Sequence, residues 1–183
     1  MVKYPIAFFI LASLAFAINR PPAENGLKIE IAGSAEFKQQ VAKALILLRK
    51  KAPEEYEIVK KHIGKIEENE RSGMLAYKEP PVYQMSLKTA FYSITWCAGT
   101  IAHDAYHSKL YHDYEKRHGK PVPYDEWAGF EAEKKCIKYQ LETLGKIKAP
   151  ENEMDYCLSL DGTHGDVNHD GKIDKTDYEL RDW

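Results

Sequence analysis

The chain has 183 residues, with 26 Lys and Arg against 28 Asp and Glu, a formal net charge of −2 and a pI near 6.4. That balance gives no electrostatic case for a nucleic-acid partner, which needs a strongly basic face. The length suits one domain with a real hydrophobic core.

Lys3 precedes an unbroken apolar run over residues 5–17, and Ala15-Phe16-Ala17 is a small-x-small cleavage pattern. A membrane span needs about 20 apolar residues, more than this run supplies. The pattern predicts a signal peptide over 1–17. It implies a secreted or extracytoplasmic protein with no stable membrane insertion after cleavage; the competing reading is an uncleaved anchor. Cys97, Cys136 and Cys157 permit one disulfide in an exported chain, and the absence of CxxC spacing argues against a Cys-based zinc site.

Residues 27–31 alternate apolar and polar and predict a short strand. Gly33 and Ser34 end it and cap a helix over 35–51, where Phe37, Val41, Ala44, Leu45 and Leu48 recur at helical spacing. Pro53 restarts the chain at the first position of a second helix, with Tyr56, Val59, His62, Ile63 and Ile66 on its face. His62 reads as a core histidine. Residues 74–77 and 82–92 read as two strands, a hairpin or neighbours. Such a strand is suited to holding an extended peptide by main-chain bonds.

Ser93 or Thr95 caps a long helix that ends near His118 and Gly119, with Gly99 marking a close approach to another element. Asp125 caps a last long helix over 126–145, with Trp127, Phe130, Glu133, Lys134, Ile137, Gln140, Leu141 and Leu144 on its inward side. Residues 146–154 read as a linker.

On the long helix, His103 and His107 stand one turn apart on one face, the arrangement a zinc ion needs from two ligands. Asp104 follows the first histidine, where a general base belongs. His112 lies some 180° around the helix from His103, at about 100° per residue, and is set aside. Glu133 shares a face with Cys136, Ile137 and Gln140 and needs a partner if buried, which makes it the third ligand. Glu131 points elsewhere, beside Lys135 and Lys138. Tyr106, Tyr111 and Tyr114 read as packing residues.

His103-Asp104-Ala-Tyr-His107, followed by a helix bearing Glu133-Lys-Lys-Cys136, resembles a small gluzincin-type zinc metallopeptidase. The resemblance covers roughly 82–140. It implies a zincin-like fold, with His103, His107 and Glu133 as zinc ligands, Cys136 as the small residue after the glutamate and Asp104 as base. The family carries Glu where this chain has Asp104. Asp is shorter by one methylene, about 1.5 Å, and a displacement of that order can cost about 10²-fold in rate.

Near the C-terminus, Asp166, Asn168, Asp170, Asp174 and Asp177 fall at positions 1, 3, 5, 9 and 12 of a loop, with Gly171 at 6 and the Lys172 carbonyl at 7. This is the oxygen spacing of an EF-hand calcium site. Asp177 in the last place, with G-D-V-N-x-D-G-K, resembles the dockerin version of that loop. Dockerins that bind cohesin carry two loops and only one is legible here, so no cohesin-type partner is expected.

These readings predict an α+β fold, mainly helical and zincin-like, with a small sheet or hairpin and a C-terminal EF-hand-type loop. The organisation is a signal peptide over 1–17, a metal-binding domain over 18–150 and a calcium-loop segment over 151–183. The expected function is an exported zinc-dependent hydrolase acting on a peptide or protein, with zinc and calcium bound. The alternatives are an inactive metal-binding protein of the same fold and a calcium-dependent, dockerin-like interaction protein.

Overall fold

In the computed structural model, which describes residues 29–182, Gly33 and Ser34 turn the chain from strand β1 (Glu30–Ala32) into helix α1 (Ala35–Lys51). The signal segment predicted over 1–17 lies outside the described residues. The Ser34 hydroxyl accepts the Phe37 N–H at 3.3 Å, an N-cap of the expected kind. Phe37, Val41, Ala44, Leu45 and Leu48 are all fully buried, as their spacing predicted.

Helix α2 (Pro53–His62) stops earlier than the periodicity suggested. Ile63 is extended and Gly64 follows it, packed so close to Pro80 that a Cβ there would sit 2.2 Å from the proline Cβ. Ile66 therefore belongs not to the helix but to strand β2 (Lys65–Asn69). Strand β3 (Gly73–Leu75) and strand β4 (Val82–Ser86) form the expected hairpin, but the second strand is shorter than 82–92. Ser86 accepts the Thr89 N–H and starts a helix instead, α3 (Leu87–Tyr92).

The sheet order is β1-β2-β4-β3, with the first three strands parallel and β3 an antiparallel edge. Parallel pairing of β1 and β2 requires a crossover, which α1 and α2 supply. Ile31, Ile66 and Tyr83 stand in one register row and are buried together. The chain is a mixed α+β protein, mostly helical, with this one small sheet.

Helix α4 (Ile94–His118) runs through the middle of the molecule. Ser93 caps it and Gly119, at φ +79, ends it in a conformation that favours glycine. Gly99 lets α4 approach the next long helix: a Cβ there would meet Leu144 Cδ2 at 2.7 Å. Leu144 is fully buried, which is worth about 2–3 kcal/mol.

The single helix expected over 126–145 is in fact two, α5 (Asp125–Ala128) and α6 (Phe130–Ile147). They divide at Gly129, whose backbone is extended and lies tight against Asp125. Lys134, expected inward, is exposed on α6. Of the residues expected as a linker over 146–154, the first two end α6, the next three connect, and the last four begin α7 (Glu151–Ser159), whose buried Glu153 accepts hydrogen bonds from Ser93 and Thr95, each at 2.7 Å. No disulfide forms. Each thiol is buried in a different place: Cys97 against Met85, Cys157 against the Ile137 carbonyl and Cys136 beside His107. The chain then passes α6 at Gly162 and reaches α8 (Lys175–Leu180), where the Tyr178 ring covers Gly73 of β3.

Candidate metal centre

The one-turn spacing of His103 and His107 on α4 turns both imidazoles toward α6, and the α6 face opposite presents Glu133 and Cys136. The two histidine Nε2 atoms lie 2.9 Å apart. Glu133 Oε2 is 3.3 Å from His103 Nε2, and Oε1 is 3.4 Å from His107 Nε2. Donors bound to one tetrahedral ion at about 2.0–2.2 Å stand about 3.3–3.6 Å apart; the two histidine–carboxylate separations fall in that range, each to a different oxygen of Glu133, while the two Nε2 atoms stand closer together than it. The donor atoms of His103, His107 and Cys136 also lie within 4.8 Å of one another.

His107 is oriented from behind. Its Nδ1 lies 2.5 Å from the backbone carbonyl of Trp127, which can only accept a hydrogen bond. Nδ1 therefore donates to the carbonyl, which leaves Nε2 as the ring nitrogen facing the cluster. The break at Gly129 makes this contact possible, because it ends α5 with the Trp127 carbonyl outside the α6 ladder.

The groups are almost fully removed from water, with side-chain exposures of 13% for His103, 6% for His107 and 7% for Glu133. Burial alone would raise the Glu133 pKa, but His107 and His103 overcome it and hold the carboxyl well below the usual range. Burial would lower His107; Cys136 and Glu133 beside it push it well above the ordinary histidine value instead. Burial pushes the Cys136 thiol up to about 11. Glu133 Oε2 and His103 Nδ1 are buried without a well-formed hydrogen bond. A cation held by Glu133 and the two facing Nε2 atoms would give Glu133 Oε2 a partner.

Asp104 is buried next to this cluster, and burial raises its pKa against the opposing effect of the two histidines. It neighbours the buried Tyr83 hydroxyl and Thr100. Asp104, His103, His107 and Glu133 all line one groove of 1420 Å³. Ser72 to Leu75 of the β3 side, Val122 and Tyr124 line it as well.

The other residues singled out in the sequence lie apart from this cluster. His112 contacts Glu115 at 3.2 Å and stacks on His62. His62 is buried in the core, its pKa lowered by burial to about 4. Glu131 pairs with Lys134 on the surface. Tyr106 packs on Tyr139, Tyr111 on Trp127 and Tyr114 on His118.

The Asp/Asn loop folds on itself. Asp177 is fully buried and accepts the amides of Val167, Asn168 and Asp174, while Asp166 accepts those of Asp170 and Gly171. Gly171 makes the sharp turn at φ +84. Asp170 accepts the Lys172 amide, and Asp174 also caps α8, in a reciprocal box with Asp177.

Two neighbours of the cluster were not foreseen as donors. Cys136 was read only as a small residue, although its place three residues after Glu133 puts it on the same helix face. His164 comes from the C-terminal segment, with Nε2 4.0 Å from Glu133 Oε2. No sequence signal links it to a helix 31 positions earlier. No protein-family model, curated protein or solved structure matches this chain, so its chemistry rests on its own residues.

Proposed function

We propose that the chain is an exported zinc-dependent hydrolase acting on peptide bonds, with His103, His107 and Glu133 as the metal ligands. The observation that carries this reading is the convergence of the three side chains, with a Glu133 oxygen 3.3 Å from His103 Nε2 and the other 3.4 Å from His107 Nε2, close to the donor spacing of a tetrahedral site. Zinc there would activate a water molecule and polarise the scissile carbonyl. Asp104 is the base that takes the proton of the attacking water, its buried carboxyl lying beside the cluster. Trp127 holds His107 in the tautomer that ligation needs. The groove exceeds the 300–1,000 Å³ typical of small-molecule pockets, which suits a segment of polypeptide. Strand β3, at the edge of the sheet and along the groove, is placed to pair with that segment's backbone. This arrangement supports a zincin-like reading of the fold.

The loop from Asp166 to Asp177 is proposed as an EF-hand-type calcium site. Four carboxylates and one amide converge on twelve residues around the turn at Gly171, a charge density a hard cation relieves.

A second reading is a closed metal site without catalysis. Cys136 lies within 4.8 Å of both histidine donors, and a fourth protein ligand would leave no position for water. Metal analysis and peptide cleavage separate the two. In the enzyme, His103→Ala removes zinc, and Asp104→Asn keeps zinc but loses chelator-sensitive cleavage. Zinc bound with sulfur ligation, and no cleavage of any peptide in a library, selects the closed site.

A further inference from the structure

The C-terminal segment does not hang away from the groove; it forms one of its walls. Residues 160–182 leave α7, pass Gly162 against Phe130 and Lys134 at the start of α6, and end beside β3 and α3. His164, Asp174, Tyr178 and Arg181 of this segment line the same groove as His103 and Asp104. A substrate reaching the cluster must share space with them.

His164 of this segment reaches the cluster. Its Nε2 lies 4.0 Å from Glu133 Oε2, within about 1 Å of the spacing between two ligands of one tetrahedral ion. Its Nδ1 is buried without a hydrogen-bond partner among the described residues.

The attachment of the segment to the sheet and α3 is largely polar. The Tyr178 hydroxyl donates to Gln84 at 2.9 Å and accepts from Asn69 at 3.3 Å. Arg71 Nε donates to the Arg181 carbonyl at 3.1 Å, and Lys88 pairs with Asp182 where both are exposed. Among residues 161–182, Ile173 is the only buried apolar side chain. Contacts of this kind each contribute about 1 kcal/mol or less, so the segment can leave while the core stays folded.

We propose that residues 160–182 form a detachable strap across the groove, and that His164 is a further metal ligand which the strap delivers to the position otherwise open to water. This rests on the metal reading above and adds a closed resting state to it. Displacing the strap withdraws the imidazole and opens the groove in one movement. The chemistry of the centre stays on α4 and α6; access to it is governed from the C-terminal segment.

The test uses the full chain loaded with cobalt(II) in place of zinc. The visible absorption of cobalt(II) reports coordination number and ligand type without any turnover. His164→Ala is expected to retain the metal, to shift and weaken the ligand-field bands as water replaces nitrogen, and to lower affinity about tenfold or more. Tyr178→Ala keeps His164 in the chain but loosens the strap that carries it, and gives a partial shift in the same direction. His103→Ala should abolish binding in every background. Spectra and affinities of the His164 and Tyr178 variants equal to those of the native chain, with His103→Ala still abolishing binding, overturn the strap and leave the metal centre standing. Absence of metal binding by the native chain overturns both.

Discussion

The backbone carbonyl of Trp127 lies 2.5 Å from Nδ1 of His107 and fixes the direction in which that imidazole presents its other nitrogen. The carbonyl is held in place by Gly129, where a Cβ would stand 2.9 Å from the Asp125 Cα. Gly129→Ala is therefore expected to displace the end of α5 and lower zinc affinity by about 10–100-fold, the usual effect of losing a partner behind a ligating histidine. Competition against a chromophoric chelator measures it. An unchanged affinity would show that the carbonyl does not orient the ring.

Calcium should stabilise the chain through the loop from Asp166 to Asp177. Saturation at 100 times the dissociation constant contributes about 2.7 kcal/mol. That corresponds to a rise in Tm of roughly 5–10 °C for a domain of this size. Asp170 is exposed, so Asp170→Ala costs little by itself and should remove most of the calcium-dependent rise. Differential scanning calorimetry with calcium and with a calcium-selective chelator reads both effects.

His62 sets an acid limit on stability. Burial, with help from Lys61 and His112, lowers its pKa from 6.5 to about 4 in the folded chain. Between those values the unfolded chain binds a proton that the folded chain resists, so stability falls as pH drops below 6.5. The full loss amounts to about 3 kcal/mol. Neither ring nitrogen has a hydrogen-bond partner, so His62→Phe should flatten this slope. Urea midpoints at pH 5 and pH 7 compare the two proteins.

Ser93 does two things at once. It caps α4 by accepting the Trp96 N–H at 2.8 Å and donates to the buried Glu153 carboxylate at 2.7 Å. Ser93→Ala should cost about 1 kcal/mol for the cap and a further 1–3 kcal/mol for the carboxylate left short of a donor. Ser93→Thr keeps both contacts and should restore most of the loss in denaturant unfolding.

What the sequence discloses follows the range over which each signal acts. The caps at Ser34, Ser93 and Gly119 act within one turn, and the helices they bound form where expected. Strand β2 carries one buried apolar residue, Ile66, among Lys, Glu and Asn, so its pairing with β1 and β4 leaves no local trace. The break between α5 and α6 comes from a close backbone approach at Gly129, which propensity does not record. On α4 and α6, helical geometry alone brings His103, His107 and Glu133 onto facing sides. The carbonyl that orients His107 belongs to the backbone, and no side-chain pattern announces it.

The placement of the donors on α4 and α6 has a consequence for the unfolded chain. Glu133 follows His107 by 26 positions, and the intervening stretch holds the last turns of α4, the short α5 and the start of α6. An ion that ties the two helices acts as a cross-link closing that loop. By chain-entropy reasoning, a cross-link of this length removes about 3.5 kcal/mol of conformational freedom from the denatured ensemble. The two long helices would then gain resistance to unfolding from the same side chains proposed to hold the ion.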